Sequence, residues 1–280
     1  LSAIGAFNAL DKRFGFLGVL ASLVPIIIFP YYSVIGGWVM KYFSVFLTGG
    51  VHAAAKDDYF TNFIGGTFEP LGWFFLFIAI TAIIVLCGVE KGIEKVSKVM
   101  MPILVILTVF IAVYGLTLDG ARDGLVYYVK PHMSDVSVKT ILAAMGQLFY
   151  SMSLAMGIMV TYGSYMKKDI SIEDSTRNVE VFDTAIAIMA GLMITPAVFA
   201  FSGGNPDTLQ AGPALMFITI PKVFENMGLG TAIGILFFLL VLFAALTSSI
   251  ALTESAVSTF EDEIGWSRKK STVLVGVIMI

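Results

Sequence analysis

Seven long apolar segments constrain this chain more than any other feature, at residues 15–47, 71–88, 98–118, 138–165, 183–202, 231–256 and 272 onward. In a lipid interior every backbone N–H and C=O must be satisfied within the structure, so runs of this length fold as helices or as a closed barrel. Barrel strands alternate apolar and polar residues, and these runs do not. Only 13% of the 280 residues are charged and 58% are hydrophobic, whereas a soluble domain carries about a quarter charged residues. The expected fold class is therefore an all-α polytopic membrane protein. The first segment is longer than one span requires, which predicts a tilt or an extension beyond the bilayer.

Positive charge alternates between the loops. Lys12 and Arg13; Lys91, Lys95 and Lys98; Lys167, Lys168 and Arg177; and Arg268, Lys269 and Lys270 fall on one side. The longer loops opposite hold Lys56, Arg122, Lys130 and Lys222, with Lys41 and Lys139 nearer the span ends. The positive-inside rule places the first set in the cytoplasm, so residues 1–14 are cytoplasmic and the first span runs outward. The outer loops are then 49–70, 119–137 and 203–230. Gly49-Gly50, Gly65-Gly66 and Pro70 predict an irregular first loop. The third begins SGGNPD, but its GPALMFITIPKVF part is too apolar for a solvated loop and is expected to pack back as an outer lid. The start at Leu1, without methionine, and the stop inside the apolar run 273–280 suggest an internal fragment of a larger protein.

Enzyme motifs are not found. His52 and His132 have no second histidine at metal-ligand spacing, and there is no P-loop and no GxSxG elbow. GLGTAIG at 228–234 misses the dinucleotide spacing and follows a loop. The lone Cys87 lies in an apolar run, where it reads as a small packing residue. No basic stripe with interleaved aromatics suggests nucleic acid.

Two spans carry polar interruptions. In LLVLFAALTSSIALTE (239–254), Ala244, Thr247 and Ser248 share one helix face. The hydroxyls could bond the carbonyl one turn back, as is common in membrane helices. Alternatively, the Ala244 carbonyl and the two hydroxyls offer three oxygens to a cation that must lose its hydration shell. In LFYSMSLAMG (148–157), Ser151, Ser153, Ala155 and Gly157 interrupt an apolar helix. That pattern fits either a close-packed interface or an unwound midpoint whose free backbone groups bind a ligand. Ile28 and Tyr32 stand one turn apart in the first span, with Tyr31 on another face, read as packing.

Several segments together carry a family likeness: IIIFPYYSVIGGW, KGIEKVSKVMMP, GQLFYSMSLAMGIMVTYGSY, FDTAIAIMAG, AGPALMFITIPKVF and ALTSSIAL, in this order along almost the whole chain. The chain resembles the neurotransmitter:sodium symporters, especially their bacterial amino-acid transporter branch with the LeuT fold. The resemblance implies one partial transmembrane domain over 1–280, equivalent to family helices three to eight and the start of nine. It implies sodium as coupling ion, an amino-acid substrate and a cell-membrane location. It gives Tyr150 as an aromatic lid, Tyr32 as a carboxylate ligand, and Ile28, Ser153, Met156 and Leu252 as the side-chain pocket beside Ser248. Met156, where many relatives carry phenylalanine, implies a more deformable pocket. Ser151 and Asp183 correspond to a first sodium site, and Ala244, Thr247 and Ser248 to a second. Asp183, where relatives often have asparagine, implies a fixed negative charge and no need for chloride, though it also reads as an ordinary helix-start acid at the inner end of its span. Gly92 and Pro102 match an inner hinge that unwinds. Asp262 matches an inner gate, with Tyr162 and Tyr165 beside it, and Glu254 has no assigned role. Competing readings are a LeuT-fold transporter of another solute, such as a betaine, and a channel-like or structural subunit. A betaine calls for an aromatic cage, and a channel for charge rings or a carbonyl filter; neither is visible.

Overall fold

The computed structural model describes residues 2–205, 209 and 212–278. Residues 206–208, 210 and 211, which include the end of SGGNPD and the start of AGPALMF, lie outside the described residues, as do residues 1, 279 and 280. A short, mainly apolar α1 (Ala3–Leu10) is capped by Ser2, whose hydroxyl accepts from the Gly5 N–H. It leads through a turn into α2 (Gly15–Leu47), 33 residues long. At 1.5 Å per residue this helix reaches about 50 Å, well beyond the hydrocarbon core, so it crosses at a tilt or projects from the membrane. Pro25 and Pro30 lie within it. Each removes a ladder bond, and neighbouring helices offset the loss in a membrane.

On the outer side follow α3 (Val51–Ala54) and α4 (Tyr59–Gly65). The chain returns through α5 (Phe68–Leu86), makes a π turn over Val89–Glu94 and goes out through α6 (Lys95–Leu116). An outer helix α7 (Ala121–Val129) precedes α8 (Val138–Ser151) and α9 (Ile158–Tyr165), two halves of one broken span. Next is α10 (Ile172–Ser202), capped by Ser171, which accepts from Asp174 N, with Glu173 and Asp174 favourably placed in its first turn. Gly203 ends it at φ +65°, its N–H returned to the Phe199 carbonyl. A second π turn (Leu215–Thr219) and α11 (Ile220–Glu225) lead into α12 (Gly230–Ile264), and α13 (Arg268–Ile278) closes the described chain. Among the described residues α2, α5, α6, α10 and α12 are each long and apolar enough to cross a bilayer.

Helices α2 and α12 form the central pair, and their side chains build two apolar clusters. The outer one holds Tyr42, Phe46, Phe217, Phe224 and Phe238. Its rings meet closely, with Phe46 and Phe238 centroids 5.0 Å apart, and the Tyr42 hydroxyl donates to the Phe217 carbonyl at 2.8 Å. The inner cluster holds Phe29, Phe74, Val85, Met156, Leu252 and Val257. Tyr32 packs against both clusters. Small residues let the backbones approach, as membrane packing requires.

Several expectations are corrected. The first outer loop is not irregular but folds as α3 and α4, and the second carries α7. Gly50 and Gly66 lie at helix ends and break the run without abolishing it. The apolar part of the third outer loop, by contrast, packs back as expected: it is helical and buried at Phe217, Ile220, Val223 and Phe224. Span 183–202 begins eleven residues earlier, at Ile172, and span 98–118 is helical from Val89. Polar helix ends that project from the bilayer carry no hydropathy signal, so the sequence reading cut them short.

Gly37 tests the close approach of α2 to α5, because a Cβ there would lie 2.8 Å from the Phe74 backbone nitrogen. Gly72 has nothing within 4 Å of such an atom. Gly37→Ala is expected to lower stability by about 1–3 kcal/mol, as overpacking does, whereas Gly72→Ala in an open helix should gain about 0.5–1 kcal/mol. Thermal unfolding of the purified protein in detergent measures both, and equal melting temperatures would contradict this packing.

Candidate functional site

The site begins where α8 stops. The Leu154 N–H returns to the Phe149 carbonyl at 2.9 Å and the Ser153 N–H to Tyr150 at 3.1 Å. This is the Schellman pattern that closes helix ends, but with a serine where glycine is usual. Ser153 and Ala155 hold φ of 55° and 59°, the positive-φ non-glycine residues among those described. Such residues carry strain that the surroundings must hold in place. Gly157 follows at φ +70° and starts α9, and a Cβ there would lie 3.2 Å from the Ala21 carbonyl and 3.1 Å from the Ser255 hydroxyl. Both its torsion and its neighbours therefore require glycine. The N–H groups of Ala155, Met156 and Gly157 have no backbone partner among the described residues. Backbone donors left free at this depth suit a cavity or a ligand, not lipid.

The side chains around this break come from α2 and α12. Ile28, Tyr32, Met156 and Leu252 meet in the inner apolar cluster, with Met156 9% and Leu252 5% exposed. The Tyr32 phenol lies near Ser248, which brings the apolar pocket beside the hydroxyl face of α12. On that face the Thr247 hydroxyl donates toward the Phe243 and Ala244 carbonyls, both at 3.0 Å. This is the back-bonded arrangement, and it also holds the Ala244 and Thr247 oxygens within one coordination sphere of each other. Ser248 is exposed beside them. In the adjoining interior Thr81 and Ser249 hydrogen-bond at 2.9 Å, fixing α5 to α12.

Ser151 and Asp183 also meet. The Ser151 hydroxyl donates to Asp183 Oδ1 at 2.5 Å. Asp183 lies three turns inside α10, so it is not the helix-start acid of the alternative sequence reading; Ser171 and Asp174 fill that place. Ser153 holds the strained turn between these groups and the pocket. Tyr31 is not simply packing, because its hydroxyl bonds the Tyr150 hydroxyl at 2.6 Å and ties the expected lid to α2. Ser255, not among the residues expected from the sequence, also reaches the break, its hydroxyl 3.4 Å from the Met156 carbonyl. It stands at i+7 from Ser248 on one helix face, a spacing that the sequence displays.

This chain matches the model of the Sodium:neurotransmitter symporter family over residues 67–280. It belongs to that family. A sodium-dependent transporter of Bacillus subtilis, YhdH, is 37% identical over 95% of this chain and 58% of its own length. A sodium- and chloride-dependent glycine transporter of Xenopus laevis is 26% identical over 72% of this chain and 34% of its own. The crystal structure of MhsT in complex with L-phenylalanine superposes with a TM-score of 0.89 at 38% identity, covering 99% of this chain and 64% of that one. The fold is thus the LeuT fold, and the protein is a multi-pass membrane protein of a transporter family, not an enzyme. The chain spans about three-fifths of the length of these bacterial relatives.

Asp262 is exposed near the end of α12, but the charge cluster there centres on Glu254. This carboxylate is fully buried. Arg268 Nη2 and Nη1 donate to its two oxygens at 2.5 and 3.1 Å, and the Tyr165 hydroxyl donates at 2.6 Å. Arg268 also reaches Glu261 at 3.4 Å and the Val85 carbonyl at 2.9 Å. Glu254 and Arg268 together therefore join α5, α9, α12 and α13. Gly92 sits in the π turn, and a Cβ there would lie 2.1 Å from the Ile84 carbonyl. Pro102 lies inside α6, so the segment between them is wound in this structure.

Removing one partner of a buried ion pair leaves an uncompensated charge and costs about 3–5 kcal/mol. Arg268→Gln, which strands the buried Glu254, is expected to lower the melting temperature of the purified protein more than Glu254→Gln does. Combining the two should recover part of the loss. A double variant as unstable as the sum of the singles would show that the two residues do not act as a pair.

Proposed function

We propose that this protein couples inward sodium flow to uptake of a neutral, hydrophobic amino acid by alternating access. The observation that carries the reading is the broken span, whose N–H groups at Ala155, Met156 and Gly157 have no backbone partner among the described residues and lie beside Tyr32, Ser248 and an otherwise apolar pocket. A zwitterion suits that combination. Its carboxylate meets the Tyr32 hydroxyl, a sodium ion and the positive end of α9. Its side chain lies among Ile28, Met156 and Leu252, with Ser153 at the turn. A charged side chain has no partner in this set and would be penalised by several kcal/mol. The likeness to MhsT, whose structure holds L-phenylalanine, agrees with an apolar or aromatic side chain, which the flexible Met156 can accommodate.

Ala244, Thr247 and Ser248 are assigned to one sodium ion, and Ser151 and Asp183 to another. The Asp183 carboxylate supplies a fixed negative charge next to the Ser151 hydroxyl, so chloride is not required. Tyr150, latched by Tyr31, closes the outer side of the pocket. The Gly92–Pro102 segment unwinds on the inner side, and the cluster around Glu254, with Tyr165 and nearby Asp262, releases as it does. The multi-pass chain resides in the cell membrane.

Uptake into proteoliposomes containing the full-length protein tests this reading. A labelled neutral amino acid should accumulate with an inward sodium gradient, and equally well when gluconate replaces chloride. Leucine, methionine and tryptophan should compete, and glutamate and lysine should not. Thr247→Val with Ser248→Ala should abolish the sodium-driven component. Competition by glutamate or lysine alone would refute the pocket, loss of uptake in gluconate would refute the role of Asp183, and unchanged sodium dependence in the double variant would refute the α12 site.

A further inference from the structure

Ser255 on α12 belongs to neither sodium site nor the side-chain pocket, yet it meets the break directly. It is 1% exposed, and its hydroxyl donates to the Met156 carbonyl at 3.4 Å. That carbonyl and the Gly157 N–H are parts of the same peptide unit. In a planar trans peptide the two bonds point in opposite directions, so whatever fixes one aims the other. Ser255 stands seven residues beyond Ser248 on α12, about 10 Å nearer the inner side. A carbonyl turned toward Ser255 therefore points inward along α9. The Gly157 N–H then points outward, toward the level of Tyr32 and Ser248, and it has no backbone partner among the described residues.

The backbone alone does not fix this orientation. Reversing the peptide plane would carry Gly157 from φ +70° to a negative φ, and glycine accepts both. Glycine is also required by its neighbours, because a Cβ would lie 3.1 Å from the Ser255 hydroxyl and 3.2 Å from the Ala21 carbonyl. The close packing that demands glycine thus leaves the peptide free to turn. The reversed plane would present the Met156 carbonyl to the pocket in place of an N–H.

We propose that Ser255 is a positioning residue for ligand binding: its hydroxyl selects the orientation of the Met156–Gly157 peptide in which the N–H faces the pocket. The proposal rests on the reading of the free N–H groups as ligand donors. Without the hydroxyl the peptide turns over in part of the molecules, and a ligand carboxylate there loses a hydrogen bond and meets a carbonyl oxygen.

Uptake of labelled leucine into proteoliposomes of the full-length protein, driven by an inward sodium gradient, tests the proposal. Ser255→Ala should raise the KM for leucine about tenfold, the loss expected for one hydrogen bond to a charged group, with kcat little changed. Ser255→Thr, which keeps the hydroxyl, should restore it. Ser258→Ala removes a buried hydroxyl bonded to Thr161 at 3.2 Å and leaves the Met156 carbonyl untouched, so it should keep the KM of the wild type. A second readout needs no ligand. With isotope labels on methionine carbonyls and glycine nitrogens, NMR in detergent detects only Met–Gly peptides, and the signal that Met156→Leu abolishes belongs to this one. Ser255→Ala should move its carbonyl carbon to the position of a carbonyl without a hydrogen bond, and Ser255→Thr should return it. An unchanged KM in Ser255→Ala, an equal rise in Ser258→Ala, or a carbonyl signal indifferent to Ser255 would overturn the proposal. If the wild type does not take up leucine but the carbonyl signal moves as described, the substrate reading fails while the positioning of the peptide by Ser255 stands.

Discussion

The broken span between α8 and α9 is the constraint on which the other features depend. A continuous helix would satisfy its own backbone and could cross lipid alone. The break leaves donors at Ala155, Met156 and Gly157 that need partners, and it places two non-glycine residues at positive φ. Neither condition is tolerable on a lipid-facing surface. The segment must therefore be pressed against other helices, and the contacts of Gly157 with the Ala21 carbonyl and Ser255 show how closely α2 and α12 hold it. The same pressure brings Tyr32, Ser248 and Leu252 to the break. Strain, free backbone donors and tight packing of the central pair have one origin.

The cluster at the inner end depends on the same geometry. Tyr165 ends α9, the second half of the broken span, and its hydroxyl reaches Glu254 on α12. Glu254 is held by Arg268 on α13, which in turn is fixed to the end of α5 through the Val85 carbonyl. A displacement of α9 is thus transmitted to a buried ion pair. Such a pair is a poor source of net stability but is sensitive to the loss of any one partner. That property suits a joint that must be firm in one state and released in another.

Much of this was legible in the sequence, for identifiable reasons. The break was readable because Ser151, Ser153, Ala155 and Gly157 are weak helix formers within an apolar run. The α12 face was readable because Ala244, Thr247 and Ser248 recur at helical spacing. Three kinds of feature were not. The true start of α10 lies in SIEDSTRN, which is helical but polar, so hydropathy could not find it. The outer helices α3, α4 and α7 are short and flanked by glycines, which reads as loop. Long-range partners such as Tyr31 with Tyr150, 119 residues apart, and Arg268 with Glu254 depend on three-dimensional packing that one sequence does not display. Glu254 could only be noted as an acid within a span, because its partner lies in a different helix.

The central claim is that the open backbone at residues 155–157 is itself the place where ligands bind. Hydrogen exchange of the full-length protein in nanodiscs, followed by mass spectrometry of the peptides covering this segment, measures it directly. Sodium with a neutral amino acid should slow exchange at Ala155, Met156 and Gly157 well beyond the effect of either alone, while the buried core of α12 stays unchanged. Exchange at these three amides that is indifferent to both ligands would contradict the account.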